Sequence, residues 1–217
     1  MYRIALFLAL FASLTGDAQV SIGVKAGVNL ANISKTSDLS TNSLTGYMIG
    51  GYIATRTKKT FGYRSEFILS RQGYDYKTNT NTGNVNLDYL VVPQLFIINF
   101  GKKVQVHAGG QVAFLLNAAV DSSNGNGGGS LFDYFKRFDY GLAGGIEFYP
   151  FSGFFIGTRI NISLNNVSFK PSAGGNWPSF VPKVDAKNNL IQVYTGWRFK
   201  LFKTVNKVIK ATAMDFR

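Results

Sequence analysis

The 217-residue chain has no cysteine, one histidine, five prolines and only 11 acidic residues. Each shortage closes something off. Without cysteine there are no disulfides, so an exported form must hold its fold by packing and hydrogen bonds, as bacterial envelope proteins often do. With His107 as the single histidine there is no metal-ligand cluster, and neither a P-loop nor a nucleophile elbow occurs. Long apolar runs are missing too. After the first residues, no window approaches the roughly 20 apolar residues of a membrane helix. Helical spanning is excluded, which leaves a soluble exported protein or a barrel.

What is there leans toward β-structure. Hydrophobic content is an ordinary 46%, but aromatics reach 15%, glycine is 24 of 217, and charged residues are only 16%. Aromatics and glycine without a surplus of helix formers favour an all-β chain, and the length suits one domain, or one plus a tail. The opening "MYRIALFLALFASLTGDAQ" reads as a secretory signal peptide. Arg3 is its positive start, Ile4 to Leu14 its apolar stretch, and Gly16-Asp17-Ala18 its small-residue cleavage site. Three segments are expected: signal peptide 1–18, barrel 19–200, and basic periplasmic tail 201–217.

Lysine plus arginine outnumber acids 23 to 11, a net charge of +12. Removing 1–18 takes Arg3 and Asp17 together and leaves that balance unchanged. Such a charge suits nucleic acid or an anionic surface. Export disfavours nucleic acid, so outer-membrane lipids and lipopolysaccharide are the expected partners.

The dominant pattern is period two. In "VSIGVKAGVNLA", Val20, Ile22, Val24, Ala26, Val28 and Leu30 alternate with Ser21, Gly23, Lys25, Gly27 and Asn29. A strand sends these sets to opposite faces. In 104–117, Val104, Val106, Ala108, Val112, Phe114 and Leu116 oppose Gln105, His107, Gly109, Gln111 and Asn117. In 137–149, Phe138, Tyr140, Leu142, Ile146 and Phe148 oppose Asp139, Gly141, Gly145 and Glu147. In 190–199, Ile191, Val193, Trp197 and Phe199 oppose Gln192, Tyr194 and Arg198. Residues 61–74 set Phe61, Tyr63, Phe67 and Leu69 against Arg64, Glu66, Ser70 and Gln72. Segments 46–56 and 87–99 are apolar on both faces for part of their length, which leaves their facing open. With "FFIGTRINISL" and its extension to 165, the total is eight strands.

These strands of roughly 11–15 residues exceed the usual globular length and suffice for the 9–11 residues of a tilted membrane strand. Connections alternate: short near 57–60, 100–103 and 150–153, long near 34–43, 77–85, 121–136 and 167–188. Outer-membrane barrels show that asymmetry, with short periplasmic turns and longer outer loops. The fold class expected is an all-β, eight-stranded antiparallel up-and-down transmembrane barrel.

In that fold Arg159, flanked by Ile156, Ile160 and Ile162, belongs to the lumen while the isoleucines face lipid. A small eight-stranded barrel fills its interior with side chains. Buried charges need partners, so Glu66 and Glu147 are expected to pair with some of Lys25, Arg64, Arg159 and Arg198. Inward glycines 23, 27, 109, 145 and 157 would make room for long side chains opposite. Aromatics near strand ends, Tyr47, Phe61, Tyr63, Tyr74, Tyr76, Phe100, Phe138, Tyr140, Phe148, Tyr149, Trp197 and Phe199, suit interfacial girdles.

Eight stretches in order carry a resemblance: "GVKAGVNLANIS", "GYMIGGYIATR", "SEFILSRQGYDY", "LDYLVVPQLFIINF", "VQVHAGGQVAFLLNA", "FDYGLAGGIEFYP", "FIGTRINISLNNV" and "IQVYTGWRF". Together, over about 19–199, they resemble the small outer-membrane β-barrels of Bacteroidetes, the porin-family or PorT-family barrels. The resemblance implies an eight-stranded up-and-down barrel, and one member type serves a gliding and secretion apparatus. "Porin" is not literal, because eight strands leave no open aqueous channel. This chain departs from the pattern by continuing past "GWRF" with "KLFKTVNKVIKATAMDFR".

The expected function is a structural or interaction role at the cell surface, as a monomeric barrel without cofactor or catalysis. His107, inward-facing, is expected to be a satisfied interior histidine rather than a catalytic one. Phe132, Tyr134 and Phe135 follow a flexible glycine run and, like Trp177 and Phe180, either contact a protein partner or fold over the mouth. In the tail, Leu201, Val205, Val208, Ile209 and Ala213 fit one face of a basic amphipathic helix, with a frayed tail as the alternative. The rivals are an accessory subunit of a secretion, gliding or adhesion complex, a lipid-modifying enzyme, and a soluble lipocalin-like carrier with the apolar set inside.

Overall fold

The computed structural model describes residues 19–34, 42–43, 45–56, 60–77, 82–122, 129–130, 136–165 and 187–200. They form β1 (Gln19–Ser34), β2 (Asn42–Ser43), β3 (Thr45–Arg56), β4 (Phe61–Lys77), β5 (Thr82–Phe100), β6 (Val104–Ser122), β7 (Gly129–Ser130), β8 (Phe138–Phe148), β9 (Phe154–Ser163) and β10 (Lys187–Lys200). Leaving aside the two-residue β2 and β7, each strand pairs antiparallel with the next in the chain. β1 then pairs with β10 from Ser21↔Lys200 to Ser34↔Lys187. The ring therefore closes on eight long strands. Closure leaves no open sheet edge, the condition for a sheet in hydrocarbon.

The exterior is the apolar set. On β9, Ile156, Ile160 and Ile162 are exposed while Phe155, Gly157, Arg159, Asn161 and Ser163 are buried. The same split holds on β1, β4, β8 and β10 at the positions the alternation assigns. A soluble carrier would have the reverse facing, so that alternative falls. The ambiguous strands also resolve. β3 turns Met48, Tyr52 and Ala54 inward, and β5 turns Val85, Leu87, Tyr89, Val91, Leu95 and Ile97 inward. One wall of the lumen is thus apolar. The polar interior occupies only the remainder.

Two irregularities interrupt the ladders. The β4–β5 pairing is interrupted between Ser65↔Gln94 and Ile68↔Val91 with the register unchanged, at Pro93, which has no N–H to donate. On β6 a bulge separates Asp88↔Asn117 from Tyr89↔Leu115. Its extra residue flips the parity, so Asn117 lies outside beside Asp88 rather than in the lumen as expected.

β4, β5 and β6 are longer than the alternation suggests, at 17, 19 and 19 residues. Segment 77–85, read as a long connection, is mostly strand: pairing continues through Lys77↔Thr82. On the outer face the apolar band ends at Leu69, Leu90 and Leu116. The next outward residues, Arg71 and Asp88, form an ion pair at 2.7 Å (Nε to Oδ1). Beyond this level the three strands continue as a wall, with β2 paired to β4 and β7 to β6.

Aromatics mark both ends. At the short-turn end Phe151 stacks on Phe154 at 5.0 Å, with Trp197 6.3 Å from Phe154. At the other end Phe138 lies 5.5 Å from Phe114. Tyr149 does not join the girdle. It follows outward Phe148, so its ring turns inward and is buried. The side chains of Tyr74 and Tyr76, segments 1–18 and 201–217, and Phe132, Tyr134, Phe135, Trp177 and Phe180 lie outside the described residues.

Candidate functional site

Strand parity places Lys25 on β1, Arg64 and Glu66 on β4, Glu147 on β8 and Arg159 on β9 inside the ring. Their side chains are at most 1% exposed. Glu66 accepts from Lys25 Nζ at 2.6 Å and from Arg159 Nη1 at 2.7 Å, both on Oε2, while Arg64 Nη1 stands 3.4 Å from Oε1. Glu147 takes the Arg64 guanidinium in a fork: Nη1 to Oε1 at 2.6 Å and Nη2 to Oε2 at 2.9 Å. Bidentate charge-assisted bonds of this kind are the strong ones.

The topology gives these distances their meaning. Around the ring, four pairings separate β9 from β4, so the two strands stand on opposite sides. The Arg159–Glu66 pair therefore crosses the lumen. Arg64–Glu147 bridges β4 to β8, three pairings apart, and Lys25–Glu66 bridges β1 to β4, two apart.

Neutral groups complete the shell. Tyr149 Oη donates to Glu147 Oε2 at 2.7 Å and Tyr194 Oη to Oε1 at 3.0 Å. Gln192 Oε1 accepts from Arg159 Nε and Nη2 at 2.9 and 2.7 Å, while its amide reaches Asn29 Oδ1 at 2.8 Å. Gln105 Oε1 accepts from Arg64 Nη2. The Lys25 ammonium lies 4.4 Å from the Tyr194 ring centroid, and the Arg64 guanidinium 4.3 Å from that of Tyr52. Gly157 lets this happen: a Cβ there would stand 2.8 Å from Glu147 Cγ and the Tyr194 ring. Gly23 likewise clears the Tyr52 ring. Gly27, Gly109 and Gly145 have a different reason, because a Cβ there would strike a carbonyl of the neighbouring strand.

Arg198 departs from the expected cluster. It lies near the short-turn end, half-buried, with its guanidinium 4.3 Å from the Tyr149 ring centroid and no ion pair among the described residues. Position explains this: Arg198 pairs with Gly23 on β1, whereas Lys25 on the same strand is the residue that meets Glu66. His107 is inward and 1% exposed. Its Nε2 stands 3.5 Å from Tyr194 Oη, but Nδ1 has no partner, so the expected satisfaction is only half met.

Sequence reasoning missed Tyr52 and Tyr149 as members of this shell. The signal for Tyr149 was its parity with Glu147. Chemically, the arrangement holds opposite strands together with buried, mutually paired charges. Among the described residues no group of three or more metal-ligand side chains comes together.

Solved structures similar in fold include Ail, the attachment invasion locus protein of Yersinia pestis, at 15% identity. It covers 85% of this chain and 100% of its own, with a TM-score of 0.45. Neisserial surface protein A matches at 13% identity, 84% and 97% coverage and TM-score 0.46. The outer membrane protein OprG from Pseudomonas aeruginosa matches at 11%, 86% and 99%, with TM-score 0.45. No curated protein matches the chain. Residues 11–168 match the model of the outer membrane protein beta-barrel domain, and with most of its length inside that match the chain belongs to this family of outer-membrane barrels.

Proposed function

We propose that the protein is an outer-membrane barrel with a plugged polar lumen and no open pore, serving a structural or interaction role at the cell surface without catalysis. The Arg159–Glu66 ion pair carries this reading. A 2.7 Å bond between opposite sides of the ring supports a lumen obstructed at its level. The saturated carboxylates support a bracing role, since neither Glu66 nor Glu147 is free to meet a substrate.

Function then falls to the surfaces. The wall raised by β4, β5 and β6 beyond the apolar band supports contact with lipopolysaccharide or a protein partner on the long-connection side. The eight ordered stretches support membership of the Bacteroidetes PorT-type barrels, and the apolar opening with its small-residue site supports export through a cleaved signal peptide.

The test is reconstitution of the mature chain into planar bilayers, with heat-modifiable gel mobility as the check on barrel closure. The folded protein is expected to give no steady conductance. Stable single-channel currents from the heat-modifiable form would overturn the plugged lumen.

A further inference from the structure

We infer that the lipid-facing surface of β4 and β5 is a self-association surface, on which a second copy of this chain packs within the bilayer through paired Gln94 amides. The inference rests on the membrane-embedded reading of the barrel.

Gln94 is the outlier of the outer face. The outward row of β5 runs from Phe100 to Leu90 and is apolar at every position except Gln94, near its middle. On β4 its direct partner Ser65 sits midway between outward Phe61 and Leu69. Among the described residues no other amide faces outward within the apolar band; Asn117 lies beyond it, beside Asp88. An amide carries two N–H donors and an oxygen with two lone pairs. Here Nε2 donates to Ser65 Oγ at 2.9 Å, and Oε1 accepts from Tyr63 Oη. One N–H and one lone pair have no partner among the described residues. In hydrocarbon an unmet polar position is costly, and a polar side chain kept at membrane depth marks a functional surface.

Depth selects the occupant. Lipid headgroups and their ester links lie at the two interfaces, about 15 Å from the midplane, out of reach of an amide in mid-band. The bilayer core offers no water either. A protein group is what remains. A second barrel inserted in the same orientation, related by a two-fold axis along the membrane normal, brings its own Gln94 to the same depth. The amide is complementary to itself: the spare N–H of each copy meets the spare lone pair of the other. Two further features fit this face. Phe61 and Phe96, each 70% exposed, are the most exposed large apolar side chains among the described residues, and both lie on it; aromatic residues are enriched where proteins meet. The β4–β5 pairing is also interrupted at this height, beside Gln94 at Pro93, so a covering partner keeps lipid from the gap in the ladder.

The chain has no cysteine, so V92C places a single thiol beside Gln94 on the same outward row, and I160C places one on β9 at the opposite side of the ring. Each mature form is reconstituted into phosphatidylcholine vesicles over a series of protein-to-lipid ratios and oxidised with copper phenanthroline. V92C is expected to give a disulfide-linked dimer at ratios where I160C stays monomeric. In V92C/Q94L the ratio needed for half-maximal linking is expected to rise about tenfold, the effect of losing two hydrogen bonds between proteins in a bilayer. Should that variant lose heat-modifiable mobility, V92C/Q94A is expected to show the same rise. Equal linking of V92C and I160C, no linking of V92C, or a half-maximal ratio unchanged by the Gln94 substitution overturns the inference while leaving the barrel intact. A parent form without heat-modifiable mobility instead refutes the barrel reading and takes the inference with it.

Discussion

Glu66→Gln is the substitution that tests the lumen most sharply. The glutamine keeps the shape and removes the charge. Glu66 is 0% exposed and accepts from both Lys25 and Arg159, so its loss strands two buried cations at once. Arg64 already belongs to Glu147 and offers nothing to either. Lys25 keeps the Tyr194 ring at 4.4 Å, and Arg159 keeps the Gln192 carbonyl and the same ring at 5.8 Å, with a neutral amide in place of the carboxylate. Breaking a buried pair from one side costs about 3–5 kcal/mol, because an uncompensated charge remains. At an m-value of about 2 kcal/mol per M, a loss of about 4 kcal/mol lowers the urea midpoint by about 2 M. Tryptophan fluorescence and heat-modifiable mobility, in detergent and in vesicles, should report the same shift. Adding Lys25→Met removes one stranded cation and is expected to recover about half of the loss, a coupling that a double-mutant cycle isolates. A Glu66→Gln midpoint within about 0.5 M of the parent, a shift of about 1 kcal/mol, would refute the reasoning. So would a double variant no more stable than the single one.

Arg159→Ala leaves Lys25 and Arg64 facing Glu66 and Glu147, so it should cost less than Glu66→Gln but more than Ser163→Ala; equal urea midpoints for the two alanine variants would count against the facing of β9. Gly157→Ala should destabilise by about 1–3 kcal/mol through overpacking, whereas outward Gly144, where the nearest atom to a new Cβ is 3.9 Å away, should accept alanine without change; denaturation of both variants checks the contrast. Because the chain lacks cysteine, single cysteines at Ile160 and Asn161 report facing directly: a lipid-soluble thiol reagent should label the first and spare the second. Arg71→Gln breaks a part-exposed pair on the outer face, together with the guanidinium contact to the Tyr47 ring at 5.2 Å, and should cost under about 1 kcal/mol in the same unfolding assay.

How far each feature was legible follows from its range. Facing is local: side chains alternate every residue, so Arg159 between Thr158 and Ile160 declares its side without knowledge of any other strand. β5 resisted because it is apolar on both faces, having an inner wall of Leu87, Tyr89, Val91, Leu95 and Ile97 behind outward Phe96 and Ile98. Asn117 was misread because a bulge shifts parity and leaves no mark in the residues around it. The β4–β5 hairpin was misread as a loop because Asn, Thr and Gly residues at 78–86 carry turn chemistry, while pairing keeps strands going to Lys77 and from Thr82. Tyr149 was assigned by residue type to the girdle, although its parity pointed inward.

The amino-acid sequence alone determined that this is a β-chain with one greasy and one polar face on most of its strands, and that charges belong to the polar face. Only the closed ring decided which charge meets which. Partners on opposite walls, such as Glu66 and Arg159, are 93 residues apart in the chain, and their meeting depends on strand order, register and the point of closure. Parity can be read from neighbours along the chain. Height within the lumen, which brings Lys25 to Glu66 and leaves Arg198 over Tyr149, comes from the register of the whole barrel.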